Sequence, residues 1–198
     1  MISRCDGIHA AAIPHVILTA WQALIEAAKL SKDQTVLVHG AAGGVGHIAT
    51  QLAHSRGAKV IGTASQNIDF LRELGVDQII DYAKTKFEDV AHGVDVVLDT
   101  VGGDTQERSW SLLKPGGMLV STIQPPSEEK AAALGVRQHM VVSSPPIGPT
   151  LTEVAKMVDA GTIKPEVSQV IPLKDIRRAH ELIEGRHTRG KIVLQVLN

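Results

Sequence analysis

The hydrophobic positions of this chain follow two periods that alternate along most of its length. Short runs with apolar residues at consecutive positions, such as Val96-Val97-Leu98, are typical of strands that are covered on both faces. Between these runs, apolar residues recur at helical spacing. The strands that this pattern predicts are Thr35–His39, Lys59–Thr63, Gln78–Tyr82, Val94–Thr100, Met118–Thr122 and His139–Ser143.

Helices are predicted before the first strand and between the later ones. One of them follows a glycine-rich turn and has an apolar stripe of Val45, Ile48, Ala49, Leu52 and Ala53. The others span Leu18–Leu30, Ile68–Leu74, Phe87–Ala91 and Asp104–Leu113. Strands that alternate with helices predict a parallel sheet with helical crossovers, so the fold class is α/β.

The last part of the chain has a different pattern. Pro145, Pro146 and Pro149 mark a break, and Thr150 and Glu153 then have the spacing of a helix capping box. The elements predicted after it are a helix with the stripe Leu151, Val154, Ala155 and Val158, an apolar segment Val167–Leu173, a helix Lys174–Glu184 and a strand Lys191–Leu197.

The strongest candidate for chemistry is the glycine-rich turn after the first strand. Gly40, Gly43 and Gly46 lie three residues apart, immediately before a helix. This spacing lets the strand turn tightly and the backbone approach a ligand, and unpaired amides at the helix start favour a diphosphate. A purely structural turn is the alternative. The position between a strand and an amphipathic helix favours dinucleotide binding, in a Rossmann-type doubly wound parallel sheet of about six strands.

The end of the second strand indicates which dinucleotide is bound. An acid about 20 residues beyond the glycines would hold the ribose hydroxyls of NAD, but Ser65, Gln66 and Asn67 stand there. These side chains can donate hydrogen bonds to a 2′-phosphate, which favours NADP(H). In the alternative interpretation, the same residues only cap the next helix.

Several segments together resemble the medium-chain dehydrogenase/reductases, in their zinc-independent quinone-reductase branch, the relatives of zeta-crystallin. No single segment is diagnostic, but they occur in the family order and cover the chain from about Ala11 onward. They are Ala11–Pro14, Leu18–Leu24, His39–Gly46, Asp99–Gly103, Leu113–Gly117 and Gly190–Leu194.

The resemblance implies positions for the cofactor. The backbone of Gly43, Gly44 and Val45 would meet the diphosphate, and Ser65 and Tyr82 would flank the adenosine phosphate. The turn of Val101 and Gly102 would lie near the nicotinamide, and Thr19 near its carboxamide. Tyr82 and Thr19 have ordinary alternatives, as a strand-end aromatic residue and a helix residue.

The family pattern also includes a barrel-like catalytic domain ahead of the nucleotide domain, and this sequence shows no counterpart of it. We therefore expect a leading segment and helix at 1–30, a dinucleotide-binding domain at 31–145, and at 146–198 a helix-strand segment that would normally join that barrel. The chain is then either a fragment or a protein that has lost half of an active site, so we assign no catalytic residue.

Composition limits the other possibilities. The chain has 198 residues and a net charge of −1, so we expect no nucleic-acid partner. It has one cysteine, which excludes an internal disulfide. The apolar part of Met1–Ala20 is interrupted by polar residues, so we predict neither a signal peptide nor a membrane span. These features predict a cytoplasmic protein.

The sequence gives little support for a metal site or for catalysis by a serine nucleophile. Cys5 and His9 are the nearest approach to a ligand pair, the other histidines are scattered, and no G-x-S-x-G sequence is present. We therefore predict no metal. His39 and His47 flank the glycine turn and could approach a phosphate, although histidines that are satisfied by the protein or solvated are the more ordinary interpretation.

The resemblance, together with the glycine turn, implies an NADP(H)-dependent oxidoreductase that passes hydride to a quinone or an α,β-unsaturated carbonyl. A non-catalytic nucleotide-binding or interaction module is the main alternative. An S-adenosylmethionine methyltransferase shares the turn Leu113–Gly117, but its glycine loop differs and it would carry an acid where Ser65 stands. A homodimer through an edge strand at His139–Ser143 is also predicted.

Overall fold

A computed structural model describes residues 6–142, 148–185 and 187–196. Its main feature is a six-stranded parallel sheet with the order β3-β2-β1-β4-β5-β6. The α/β, Rossmann-type fold predicted from the sequence is thereby confirmed. The strands are β1 Thr35–Val38, β2 Lys59–Ala64, β3 Gln78–Asp81, β4 Val94–Asp99, β5 Leu113–Ser121 and β6 Arg137–Met140.

Helices cover both faces of the sheet. Short 3₁₀ turns at Phe87–Asp89, Trp110–Leu112 and Leu173–Asp175 replace parts of the helices predicted there. The helices are α1 Gly7–Ala12, α2 Pro14–Trp21, α3 Gly46–Ser55, α4 Ile68–Glu73, α5 Asp104–Ser109, α6 Glu128–Leu134, α7 Gly148–Asp159 and α8 Ile176–Glu184.

Two hydrophobic cores lie on opposite faces of the sheet. Val36 and Val38 of β1 point into the core that contains α2, α3 and α7, whereas Leu37 points into the other. Successive side chains of a strand point to opposite faces, so a strand between two cores must be apolar at every position. The consecutive apolar runs in the sequence have this cause.

The helical segment before β1 differs from the single predicted helix Leu18–Leu30. Helical turns begin further upstream, at α1 and α2, and α2 continues into a π-helical segment, Gln22–Ala27. The helix ends earlier than predicted because Lys29 has a left-handed backbone with φ of 54°. Leu30 is buried for a different reason, as part of the core beside β1.

The predicted helix Asp104–Leu113 is too long, because Leu113 already belongs to β5. Leu113 pairs with Val94 of β4, and Met118 pairs with Val96, so the residues between them bulge out of the ladder. Gly117 permits this bulge, since a Cβ there would lie 2.9 Å from the Lys114 carbonyl oxygen. Leu113 is therefore apolar because it belongs to β5, which begins before Gly116 and Gly117.

Helix α6 was not predicted, although its sequence carries clear signals. The Ser127 hydroxyl accepts a hydrogen bond from the Lys130 amide at the N-terminus. Gly135, in the left-handed conformation, ends the helix. A Ser before Glu128 and Glu129 and a Gly after the last turn are typical helix boundaries.

Strand β6 forms the edge of the sheet and begins two residues earlier than predicted. Its residues Arg137–Met140 pair with Met118–Ser121 of β5. The strand is partly exposed along its length, so its polar residues resemble a loop in the sequence. Ser143, the predicted end of this strand, lies outside the described residues, as do Pro145, Pro146 and Cys5.

A small second sheet consists of two parallel strands, β7 Val167–Pro172 and β8 Lys191–Gln195. Helix α8 connects them, and α1 packs against both strands. The predicted end of the last strand, Leu197, lies outside the described residues. None of the helices in the described part of the chain has the length and hydropathy needed to cross a bilayer.

Candidate functional site

The glycine turn lies where β1 ends, and its geometry requires glycine at two positions. Gly40 has φ of +67°, a conformation that side chains rarely adopt. A Cβ on Gly46 would lie 2.1 Å from the Gly40 carbonyl oxygen and 2.8 Å from the Ala41 Cα. The chain therefore folds back on itself tightly and begins α3 directly against the turn.

The start of α3 is suited to an anion. No side chain caps it at Val45, and its first turn contains no acidic residue. The first amides of a helix have no partner within the helix, and the helix dipole places positive potential there. An anion at this position would thus meet free donors and no opposing carboxylate from that turn.

A groove with a volume of ≈ 1120 Å³ runs past the turn along the carboxyl ends of the strands. Of the ten residues predicted to bind the cofactor, those that line it are Gly43, Gly44, Val45, Ser65, Gln66, Asn67, Tyr82 and Val101. Two do not. The Thr19 hydroxyl is nearly buried and donates to the His15 carbonyl at 2.9 Å. The buried Gly102 donates its amide to Asp99 at 2.8 Å.

One end of the groove is formed by the adjacent ends of β2 and β3. The Ser65 hydroxyl donates to the Tyr82 hydroxyl across 2.8 Å. Asn67 has a left-handed backbone, with φ of 59°, and makes no side-chain cap bond to α4. The side chain of Asn67 is therefore not used to cap α4, as it would be if these residues only capped the next helix.

A buried carboxylate, Asp99, shapes the end of β4. Its Oδ1 accepts from the amides of Val101 and Gly102, at 2.9 and 2.8 Å. Its Oδ2 accepts from Gln106 Nε2 at 3.0 Å and from the Ser121 hydroxyl at 3.1 Å. Four donors compensate the loss of water around the charge. Asp99 thus fixes the predicted nicotinamide turn without lining the groove.

His39 is held neutral beneath the groove. Ser109 donates its hydroxyl to the Thr105 carbonyl at 2.6 Å, so it accepts from His39 Nε2 at 2.9 Å. Thr63 accepts from the Gly40 amide and can donate its proton to His39 Nδ1 at 3.2 Å. Burial lowers the pKa of His39 to about 4. It is a histidine satisfied by the protein, as the more ordinary interpretation held.

The low pKa of His39 predicts acid sensitivity. The unfolded chain binds a proton at His39 below about pH 6.5, whereas the folded chain does so only near pH 4, so the folded state loses stability between these values. The loss amounts to about 3 kcal/mol by pH 4, since a tenfold difference in proton affinity is worth about 1.4 kcal/mol. Urea unfolding at pH 7 and pH 4 measures it.

The matched variants are His39→Gln, which removes this titration, and His92→Gln, which changes an exposed histidine. Between pH 7 and pH 4, the free energy of unfolding should fall less in His39→Gln than in the unmodified chain. In His92→Gln it should fall by the same amount as in the unmodified chain. An identical pH dependence in all three proteins would show that His39 is not the group responsible.

The two-stranded sheet of β7 and β8 forms the wall of the groove opposite the ends of the six-stranded sheet. His47 donates from Nδ1 to the Gly43 carbonyl at 2.8 Å and accepts at Nε2 from the Glu166 amide at 3.2 Å. The Gly190 amide donates to the Ala42 carbonyl at 2.9 Å. Burial is the largest effect on His47 and lowers its pKa. This histidine therefore joins the glycine turn to the C-terminal sheet and is not free to bind a phosphate.

Lys191 brings a positive charge to the glycine turn, which the sequence analysis missed. A Cβ on Gly44 would lie 3.2 Å from Lys191 Cδ, so the lysine stem lies directly over Gly44. Its neighbour Ile192, together with His187 and Thr188, also lines the groove. The only signal in the sequence was the resemblance at Gly190–Leu194, which gave these residues no role.

Arg108 is a further groove residue that the sequence did not reveal. Its guanidinium donates to Glu88 at 2.7 Å and to Asp104 at 2.8 Å, and it lies 4.4 Å from the centre of the Phe87 ring. Hydrogen bonding to Glu88 is the main cause that raises the pKa of Arg108. Two carboxylates thus already satisfy its charge.

The sheet order and the glycine turn at its centre define a Rossmann-type nucleotide-binding fold. The chain belongs to the zinc-binding dehydrogenase family, whose sequence profile matches residues 74–194, and to its quinone oxidoreductase branch of the medium-chain dehydrogenase/reductases. Among the described residues, no group of three or more His, Cys, Asp or Glu side chains is placed to hold a metal ion.

Three relatives illustrate the similarity. The mitochondrial NAD(P)H oxidoreductase RTN4IP1 of Danio rerio is 33% identical over 219 residues, which cover 95% of this chain and 57% of that protein. A quinone oxidoreductase structure from Coxiella burnetii is 35% identical with a TM-score of 0.91, covering 98% of this chain and 62% of that one. The quinone oxidoreductase of Escherichia coli, solved in complex with NADPH, is 30% identical with a TM-score of 0.86, covering 97% and 66%.

This chain thus spans between 57% and 66% of the length of these relatives. They are oxidoreductases by name.

Proposed function

We propose that this chain binds NADP(H) and forms the cofactor half of an oxidoreductase that reduces a quinone or an α,β-unsaturated carbonyl. One observation carries the proposal: the glycine turn opens α3 without a capping side chain or an acidic residue, inside a groove large enough for a dinucleotide. Similarity to the Escherichia coli quinone oxidoreductase solved with NADPH supports the choice of cofactor.

The residues of this chain fit such a cofactor in two places. The Gly43 amide already donates to the Gly40 carbonyl at 2.9 Å, so Gly43 would meet the diphosphate without donating to it. The amides of Gly44 and Val45 would donate to the diphosphate, and the ammonium of Lys191 above Gly44 would offset its charge. Gln66, Asn67 and the Tyr82 hydroxyl, which accepts from Ser65, would face the adenosine ribose with hydrogen-bond donors, since the three residues directly after β2 include no carboxylate.

At the nicotinamide end, the chain would contribute a backbone turn that supports the ring. Asp99 holds the turn of Val101 and Gly102 in place, and that turn would support the ring from the end of β4. A role for Thr19 near the carboxamide stays a prediction, because its hydroxyl is bonded to the His15 carbonyl.

When bound, NADPH supplies the hydride, and the protein orients the ring and limits access of water. We assign no catalytic residue, so the proton that completes the reduction would come from solvent or from a group outside this chain. The division into 1–30, 31–145 and 146–198, with the last part joining a barrel domain, is part of the same proposal.

Binding and turnover test the proposal separately. We expect the chain to enhance NADPH fluorescence and to bind NADPH at least about tenfold more tightly than S-adenosylmethionine, a difference of about 1.4 kcal/mol. We expect NADPH oxidation with a quinone or enone acceptor when any upstream coding sequence is included. Binding without turnover in both forms would support a non-catalytic module, and S-adenosylmethionine binding without NADPH binding would refute the proposal.

We also propose a homodimer through β6. This strand forms one edge of the six-stranded sheet, and unpaired edges favour pairing with another chain. The Val141 amide donates to the Ser121 carbonyl of β5, so the amides of Gln138 and Met140, at alternate positions, point to the open edge. Gln138→Pro, which removes an edge donor without breaking the pairing with β5, should then shift the mass measured by analytical ultracentrifugation toward the monomer. A mass that already equals one chain before substitution would rule the dimer out.

For the compartment, we propose the cytoplasm. The single cysteine fits a reducing environment. The Danio rerio relative is described as mitochondrial. Fractionation of cells that express the full coding sequence distinguishes the two, and recovery with mitochondria would overturn this assignment.

A further inference from the structure

The adenosine end of the groove contains a lysine, Lys86, whose charge acts on the nearby Glu88 less than that of Arg108 does. Lys86 lines the groove together with Tyr82 and Thr85, in the loop that follows β3. The amide of Thr85 donates to the Asp81 carbonyl at 2.9 Å, so this loop folds back over the end of β3. Lys86 is therefore kept near Tyr82, whose hydroxyl already accepts from Ser65.

Three carboxylates of the flanking elements are paired with other cations. Asp81 forms an ion pair with Lys84 at 2.9 Å, and Glu88 forms one with Arg108 at 2.7 Å. Asp69, on α4, is paired with Arg72. Within residues 6–142, 148–185 and 187–196, Lys86 itself takes part in no ion pair.

The groove as a whole has a positive balance that fits two separate anions. Among the described residues that line it, Glu184 is the sole carboxylate, and the permanent cations are Lys86, Arg108 and Lys191. Arg108 is satisfied by Glu88 and Asp104, and Lys191 lies over the glycine turn. Lys86 is left for an anion that is not the diphosphate.

We propose that Lys86 binds the 2′-phosphate of NADP(H) and thereby sets the preference for this cofactor over NAD(H). This inference rests on the proposed function, because it assumes that the adenosine lies between the ends of β2 and β3. The charge that recognises the phosphate comes from the loop after β3. Neutral hydrogen-bond donors come from Asn67, after β2, and from the Tyr82 hydroxyl, which accepts from Ser65.

Adenosine nucleotides isolate this contact from the rest of the cofactor. Isothermal titration of the full chain with adenosine 2′,5′-bisphosphate and with 5′-AMP measures what the 2′-phosphate adds. We expect the bisphosphate to bind at least about tenfold more tightly. In Lys86→Gln, this ratio should fall about tenfold, while the affinity for 5′-AMP stays the same.

Lys84→Gln is the matched control. It removes the same charge two residues away, from a lysine that does not line the groove and is paired with Asp81. We expect it to leave the ratio unchanged. An equal loss in both variants would indicate a general field and overturn the specific role of Lys86, as would a ratio that Lys86→Gln does not change.

The result also separates this inference from the proposed function. If the unmodified chain binds 5′-AMP and the bisphosphate equally, the role of Lys86 is rejected while nucleotide binding stands. If it binds neither, both proposals fail. A chain that prefers the bisphosphate through Lys86 but never oxidises NADPH would retain this inference and lose the catalytic part of the proposed function.

Discussion

Gly46→Ala is expected to prevent the glycine turn from forming and to abolish nucleotide binding. The new Cβ would lie 2.1 Å from the Gly40 carbonyl oxygen and 2.9 Å from its carbon, both backbone atoms that have no room to move aside. Only a shift of α3 away from β1 could relieve this overlap, and α3 is packed into the larger core. We expect a loss of at least about 4 kcal/mol, a large part of the stability of an ordinary domain.

Thermal unfolding and NADPH fluorescence measure this effect, and Gly7→Ala provides the control. Gly7 is also at the start of a helix, has no positive φ and has no atom within 4 Å of an added Cβ. The same chemical change should therefore leave stability and binding almost as they are. Normal folding and NADPH binding in Gly46→Ala would mean that the turn is looser than the structure indicates.

The second large effect is expected for Asp99→Ala. Removing this carboxylate leaves the amides of Val101 and Gly102, the Gln106 amide and the Ser121 hydroxyl without their shared acceptor. Unpaired buried donors are costly, so we expect a loss of about 3–5 kcal/mol in the free energy of unfolding, measured in urea.

Two further variants make the result specific. Asp99→Asn keeps an oxygen for the two backbone amides and should recover part of the stability. Asp104→Ala removes a carboxylate whose side chain is 82% exposed and should cost less than about 1 kcal/mol. If Asp99→Ala is no more destabilising than Asp104→Ala, the four hydrogen bonds do not organise the ends of β4 and β5.

The central strands could be predicted from the sequence because they are buried on both faces. Val36, Leu37 and Val38 must all be apolar, since each contacts one of two cores. The predicted start of strand β6 was two residues too late, because partly exposed polar side chains occur in edge strands as well as in loops. Helix α6 was missed despite its cap at Ser127, because its Ala-rich sequence has little hydrophobic periodicity.

The glycine turn of the site was also predictable, since its spacing reflects local backbone geometry. Most other groove residues were not, because they meet through contacts that are distant in sequence. Gly44 and Lys191 lie 147 residues apart in number yet are in contact through the lysine stem. Asp99 was visible as an acid at a strand end, but the four donors around it come from three other segments.

The junction at His47 and Gly190 limits how this protein can be divided. A recombinant piece that ended after the six-stranded sheet would leave the Ala42 carbonyl and His47 Nε2 without the partners they have here. It would also lose the wall formed by Lys191 and Ile192. A minimal nucleotide-binding fragment must therefore carry the last strand with it.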